Sequence, residues 1–526
     1  MWWTTISLLL GLFSAFYLYV KKKFGYFDKL GVPHQPGTFP FGSDCTWKML
    51  SMKISFVHMV DEVCQEFPEA KVVGYYGAFG SPNFVIKDFD LIKRVMVKDF
   101  DHFMDRRPFS MHPESNKYLS KMLTSQAGQE WKNNRTLMSP MFTSGKLRNI
   151  MPTVQECSSD FVKHLQGIDK NELNAKDVMN LATCEILGRI GCGVKPNIWE
   201  DPQNNVFYKQ MKTLIGQGGG TLMMIKVMII MFFPALAYYS KATFIPDETM
   251  NFFANIIRDQ IKSRKLSKTK MNDFIDFWVE TFENNDDKNR QDEYEDEFEK
   301  NAEIKGAKVS KLSDQEFEDI VIANGILVFF AGNDTTSTGM AVTLFFLANH
   351  PDVQEKMYQE IQDAIEDNGG SPDLDYNALH GLKYMEKVIK ESFRCWNVSF
   401  IERTCTKDYQ VPDTNITIPK DAMVQLAGNY IMQKEEFYSD PSEFNPDSHF
   451  DSDVLMPSSF YAFGQGPRNC IGMRFAWTIM RALLVKICAN YKVKPTPGMP
   501  KRMVIDPANP QALPKGGVKV KLEDRQ

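Results

Sequence analysis

Few folds have room for the run Phe463-Gly-Gln-Gly-Pro-Arg-Asn-Cys-Ile-Gly472. Gly464 and Gly466 open backbone angles closed to other residues, and the proline between them and the cysteine fixes φ and removes a donor, so the path is a tight one. The next residues, Met473–Ile487, have helical spacing. Cys470 therefore stands at the mouth of a helix, where free backbone N–H groups and the positive end of the dipole favour thiolate over thiol. Such a sulfur is a nucleophile or a metal ligand. A phosphatase-type nucleophile needs an arginine six residues on, and that position is Ala476. A glycine loop also lets a flat partner approach closely, with Phe463 covering one of its faces. Taken alone, Cys-Ile-Gly fits a buried structural cysteine better.

The full pattern, Phe463-Gly464-x-Gly466-x-Arg468-x-Cys470-x-Gly472, resembles the heme-binding signature of the cytochrome P-450 family, the heme-thiolate monooxygenases. The resemblance implies a cofactor, heme b (iron protoporphyrin IX), with Cys470 as its axial metal ligand and Phe463, Gly464, Arg468 and Gly472 around it. A thiolate ligand pushes electron density towards dioxygen and favours O–O cleavage. The implied fold is mainly α, a large helical domain with a small β-rich lobe, holding heme between a long central helix and the cysteine loop.

Trp2–Val20 carries no charge and is long enough to cross a bilayer as a helix; Lys21, Lys22 and Lys23 close it. No basic residue precedes it and no small-x-small site ends it, which favours an anchor over a cleaved signal. The lysines place the chain beyond Lys23 in the cytoplasm. Three prolines between Gly31 and Pro40 make a stiff connector. The expected organisation is an anchor over 1–23, a proline-rich linker over 24–45 and a heme-thiolate catalytic domain over 46–526. Net charge is −5, which argues against nucleic acid as a partner, and the nine cysteines show no C-x-x-C pair.

Lys71–Gly77 and Asn83–Lys87 predict a hairpin, as do Tyr409–Pro419 and the pair Arg502–Ile505 with Val518–Leu522. Helices are predicted over Asp88–Val97, Met151–Gly167, Gln315–Ala348 and Pro351–Ile365. Thr221–Tyr239 is apolar and reads either as a buried helix pair or as a surface dipping into lipid. Asn284–Lys311 is rich in acids and lysines and reads as a solvated loop.

Three further motifs extend the resemblance. Trp131 and Arg135 lie four residues apart, on one helical face, and in the family bind a heme propionate. An always-charged, multi-donor guanidinium suits a buried carboxylate. Within Ala331-Gly-Asn-Asp-Thr-Thr336, acid and hydroxyls interrupt an apolar helix; the resemblance assigns Gly332 a notch for dioxygen and Asp334 and Thr335 a proton relay. Glu391 and Arg394 match a buried clamp. Its usual third member, an arginine, is replaced here in Phe444-Asn-Pro-Asp-Ser-His449-Phe, so that either His449 takes its place or the clamp is weaker. The segment after Arg394 also departs from the family pattern, with Asn397 where a proline is usual. Arg403 is a further propionate partner by the same resemblance.

Gly216–Gly220 lacks the strand and spacing of a dinucleotide site, so electrons must come from another protein. The resemblance implies an NADPH-dependent cytochrome P-450 reductase on the same membrane, with cytochrome b5 as a second donor, docking around Cys470 on a basic surface that includes Arg474 and Arg481. It further implies the endoplasmic reticulum membrane, contact with membrane lipid, and a hydrophobic small-molecule substrate: xenobiotic, steroid or fatty acid. Phe329, Phe330 and Phe400 are candidate pocket residues. Two other functions fit parts of the pattern, a reductase-independent isomerase acting on a peroxide and a non-catalytic heme or lipid carrier.

Overall fold

Ser313 starts the longest helix among the described residues. Its hydroxyl accepts from the Glu316 N–H while the Glu316 carboxylate accepts from the Ser313 N–H, a capping box that fixes the start of Asp314–Asn349, 36 residues. This is one residue before Gln315, where the spacing predicts the start; Asp319 is buried inside the helix and paired with Lys121 at 2.6 Å and Lys117 at 3.4 Å. The helix is packed on nearly every side. Between Phe317 and Asn349 only Ala331 and Thr335 are exposed.

In this computed structural model, residues 2–107, 117–216, 226, 230, 234–241, 243, 245–267, 269–283, 297–304, 306–307, 312–396, 398–450, 457–509 and 512–525 are described. The central helix packs against Ala175–Cys192, Lys383–Trp396 and Met473–Asn490. The β-rich part is small, as expected. Val72–Gly77 and Ser81–Ile86 form the predicted antiparallel hairpin, Met423–Leu426 adds in parallel, and Ile401–Thr404 closes the four-stranded sheet. Tyr409–Gln410 and Thr417–Ile418 pair as predicted. The C-terminal hairpin is different: Lys519–Asp524 pairs with Tyr491–Pro495 and with Leu173–Asn174, while 502–505 is not a strand. The partner is the strand continuing directly from the cysteine helix.

Trp2–Lys23 is one helix, exposed along its apolar length, and among the described residues it is the helix long and apolar enough to cross a membrane. Phe13, Phe16 and Tyr17 pack on Phe39, and Phe16 also meets Phe79. The proline-rich connector does not stand off from the domain. The Gln35 N–H donates to the Gly74 carbonyl at 3.0 Å and the Gly74 N–H to the Pro33 carbonyl at 2.8 Å, while Phe27 is buried against Tyr76 and Phe84.

Most of 221–239 and of 284–311 lies outside the described residues. The described part of the acid-rich run is not simply solvated: Glu297–Asn301 packs on the turn Gly466–Arg468, and Gln129 donates to the Gly306 carbonyl.

Candidate functional site

The cysteine loop takes the shape its glycines allow. Gly464 and Gly466 have φ of 68° and 69°, and a Cβ on Gly466 would lie 1.9 Å from the Met96 carbonyl oxygen, a backbone atom that cannot step aside. The Cys470 N–H donates to the Phe463 carbonyl at 2.8 Å and closes the loop, and the helix begins at Met473 with Gly472 as its cap. Burial pushes the Cys470 thiol up, while the Gly472 N–H, Arg135 and Arg106 pull it down. The same residue has exposed surface. The thiol is thus crowded by protein although the residue keeps exposed surface. Gly472 has an ordinary φ of −89°, and a Cβ there would meet nothing nearer than Phe142 at 3.8 Å. The polypeptide itself therefore does not demand glycine at 472. Phe463 is half-buried, edge-on to Phe393 and beside Trp477.

Four arginines gather around this loop. Arg135 donates from Nη1 to the Asn469 carbonyl at 2.8 Å and from Nη2 to Asn469 Oδ1 at 2.6 Å. Arg468 turns away from the sulfur and donates to the carbonyls of Met104 and Gln126, both at 2.9 Å, with its guanidinium 4.0 Å from the Trp131 ring centre. Arg106, which sequence reasoning passed over, donates to the Arg468 carbonyl at 3.3 Å. Arg403 is buried on the strand Ile401–Thr404, and its Nε has no partner among the described residues. Burial and the nearby arginines push Arg468 down to about 8, Arg403 to about 9 and Arg135 to about 10. A guanidinium does not give up its proton at neutral pH, so this depression expresses a demand for anions. Glu402 and Asp105 offset it only in part. A dicarboxylate lying against a thiolate loop answers that demand, and heme b, with two propionates, fits the residues present.

On the central helix, Ala331 and Thr335 expose one face, with half-buried Gly332 beside them. Thr335 Oγ1 donates back to the Ala331 carbonyl at 2.6 Å, as the sequence predicts for a mid-helix threonine. Asp334 has a partner that sequence reasoning missed. Lys176 Nζ donates to Asp334 Oδ1 and to the Asp334 carbonyl, both at 2.7 Å, and to Ser337 Oγ at 2.6 Å. Lys176 lies far away in sequence, at the start of Ala175–Cys192, and no spacing rule links it to Asp334.

The Glu391–Arg394 pair is buried, with Nε and Nη2 of Arg394 donating to the two carboxylate oxygens at 2.7 and 2.8 Å. His449 completes it: Nδ1 lies 2.9 Å from Glu391 Oε1. Of the two alternatives left by the sequence, histidine as third partner is the one observed. The docking expectation for Arg481 fails, because Arg481 is buried and donates to Glu386 Oε2 at 2.6 Å. A helix that packs on the central helix has little room for an outward cation at that turn. Arg474 is half-buried, donating to Ser144 Oγ at 3.1 Å. Phe329 belongs to the core with Phe207 and Phe253, whereas Phe330 is half-buried and Phe400 is exposed. Asn397 lies outside the described residues.

The family model for cytochrome P450 matches residues 56–522. Cytochrome P450 6B7 of Helicoverpa armigera is 27% identical over 523 residues, covering 98% of this chain and 97% of the relative. Cytochrome P450 9b2 of Drosophila melanogaster is 28% identical over 461 residues, covering 85% and 84%. Cytochrome P450 6k1 of Blattella germanica is 27% identical over 505 residues, covering 94% and 92%. With a thiolate loop, a cationic cradle suited to a dicarboxylate and a family match over most of its length, this chain belongs to the cytochrome P450 family of heme-dependent monooxygenases.

Proposed function

We propose that this monooxygenase works on the endoplasmic reticulum membrane and takes electrons from NADPH-dependent cytochrome P-450 reductase, with cytochrome b5 as a second donor. Its substrates are hydrophobic small molecules of the xenobiotic, steroid or fatty-acid type. The anchor spans 1–23, the connector 24–45 and the catalytic unit 46–526. The observation that carries the reading is the under-neutralised arginine cluster beside Cys470. When bound, heme supplies dioxygen chemistry at its iron. Cys470 is the sulfur that would hold the iron, and Trp131, Arg135, Arg403 and the newly found Arg106 would hold the propionates. Arg468 braces Trp131 and the loop from behind. Phe463 shields the sulfur, while Gly464 shapes the loop and Gly472 leaves space for the macrocycle.

Proton delivery would fall to the central helix. Asp334 is the titratable group, and Lys176 holds its carboxylate in place. Thr335 Oγ1, on the exposed face of the helix, accepts a proton from water or from Asp334 and passes on its own when its bond to Ala331 turns over. Gly332 leaves room beside it for dioxygen.

An isomerase acting on peroxides would have no use for this acid and hydroxyl, and a carrier would need neither. The test uses the full chain in phospholipid vesicles. NADPH consumption that requires both reductase and a hydrophobic substrate, with hydroxylated product, is the expected result. Peroxide rearrangement without reductase would establish the isomerase reading instead, and heme binding with neither reaction the carrier.

A further inference from the structure

The acid-rich run between the helices Phe274–Glu283 and Asp314–Asn349 supplies nothing to the cysteine loop, the clamp or the central helix, yet its described part is held in a telling place. Glu297–Asn301 is a helix of five residues, too few to hold in water unaided. It folds because it leans on the domain. Phe298 and Ile304 are half-buried against the core and fix the segment at two points. Between them the helix lies on the turn Gly466–Arg468, just ahead of Cys470 in the cysteine loop. Further on, Gln129 Nε2 donates to the Gly306 carbonyl at 3.1 Å, which ties the segment to the helix Gly128–Met138 one turn from Lys132.

A turn built on glycine and proline ordinarily faces solvent. Here Gly466, Pro467 and Arg468 are all buried, with both Arg94–Lys98 and Glu297–Asn301 packed on them. The segment therefore occupies ground at the edge of the loop that holds the sulfur. Its own composition is acidic, with Glu297, Glu299 and Glu303 against Lys300.

We propose that residues 297–304 are a built-in rival of the electron donor: they place acidic residues beside the cysteine loop, and the donor must displace them to deliver electrons. This rests on electrons coming from the reductase, docked around Cys470 on a basic surface. A partner for such a surface brings carboxylates of its own. A specific interface covers roughly 800 Å² on each partner, so a donor centred on the cysteine loop overlaps a segment that already touches it. Like charges meeting there slow the encounter, most strongly at low salt.

The test is reduction of the full-length heme-loaded protein by NADPH-dependent reductase in phospholipid vesicles, followed in time as the ferrous-CO band at low and at high salt. Glu297→Gln, Glu299→Gln and Glu303→Gln together should speed reduction by about fivefold at low salt, within the range that charge steering covers, and the gain should shrink at high salt. Equal rates would overturn the proposal. So would a slower variant, because the acids would then belong to the donor's own docking site. Dithionite reduces the heme without docking, and the variant should match the wild type there; a difference would mean that the acids act on the heme loop itself, which also overturns the proposal. A wild type that takes no electrons from the reductase brings down the assignment of the donor and this inference with it, whereas a normal wild-type rate with no gain in the variant brings down this inference alone. Amide hydrogen exchange is a second readout and needs no substitution. Saturating the wild type with reductase should raise exchange over 297–304, and unchanged or lowered exchange would overturn the proposal.

Discussion

Arg394 and Arg403 are the same side chain, both shut away from water, and their surroundings treat them in opposite ways. Each of the five N–H bonds of Arg394 has an acceptor: Glu391 twice, and the carbonyls of Met432, Pro441 and Glu443. Burial lowers its pKa, but Glu391, with Cys395 and Tyr438, more than compensates. Arg403 donates from Nη1 to the Glu402 carbonyl, leaves Nε without a partner among the described residues, and is pushed down to about 9 by burial and Arg106. A fold can close a structural site completely because nothing has to enter it. A cofactor site must keep its charge unmet by the chain, because the incoming group supplies the other half.

Cys470→Ala carries this contrast to its limit. On the proposed assignment it removes the group that would meet the iron and leaves the clamp alone, so the ferrous-CO thiolate spectrum and all turnover should be lost while the chain still folds. A normal spectrum from the variant would overturn the ligand assignment.

The two arginines break or sharpen the comparison directly. Arg394→Ala strands a buried Glu391 carboxylate, a defect of about 3–5 kcal/mol. That should collapse the protein with or without heme. Arg403→Met removes a charge that the chain alone does not neutralise. Measured by denaturant unfolding, the heme-free variant should be as stable as the wild type or more so, while its heme affinity falls. Equal destabilisation of both heme-free variants would erase the distinction drawn between them.

That distinction also separates what the sequence made legible from what it did not. The cysteine loop could be read because its requirements are local: Gly466 meets the Met96 carbonyl, and the sulfur precedes a helix cap by two residues. Trp131 with Arg135, and Glu391 with Arg394, were readable from helical spacing. Lys176, Arg106 and the inward turn of Arg481 were not. Each depends on packing between segments distant in sequence, and for such contacts a lone lysine or arginine gives no periodic signal. The misassigned C-terminal hairpin has the same origin, since Lys519–Asp524 had two possible partners and only the tertiary fold chose Tyr491–Pro495.

Lys176→Met tests a milder form of dependence. Asp334 would keep its place on the helix but lose the ammonium that orients it. Substrate oxidation should slow by about tenfold, near 1.4 kcal/mol, with the heme spectrum unchanged and a larger solvent deuterium effect on turnover. Full activity would show that Lys176 serves only to pack its helix.

Asp61 is unmet without belonging to the cofactor site, and so it probes whether such groups mark function at all. Its Oδ1 has no partner among the described residues, and it lines a cavity of about 10 Å³ with Val57, Phe400 and Asn429, near the room one water needs. Burial pushes its pKa up to about 8. An unfolded aspartate ionises near about pH 3.9, so between these values the folded chain holds a proton that the unfolded chain has released. Stability must therefore fall as pH rises from about 4 to about 8 and be lowest above that range. Asp61→Asn has no charge to desolvate. It should flatten this slope and gain about 1–3 kcal/mol relative to the wild type at pH 8, with turnover unchanged. If turnover fell instead, Asp61 would join the arginine cluster as a group left open for a ligand.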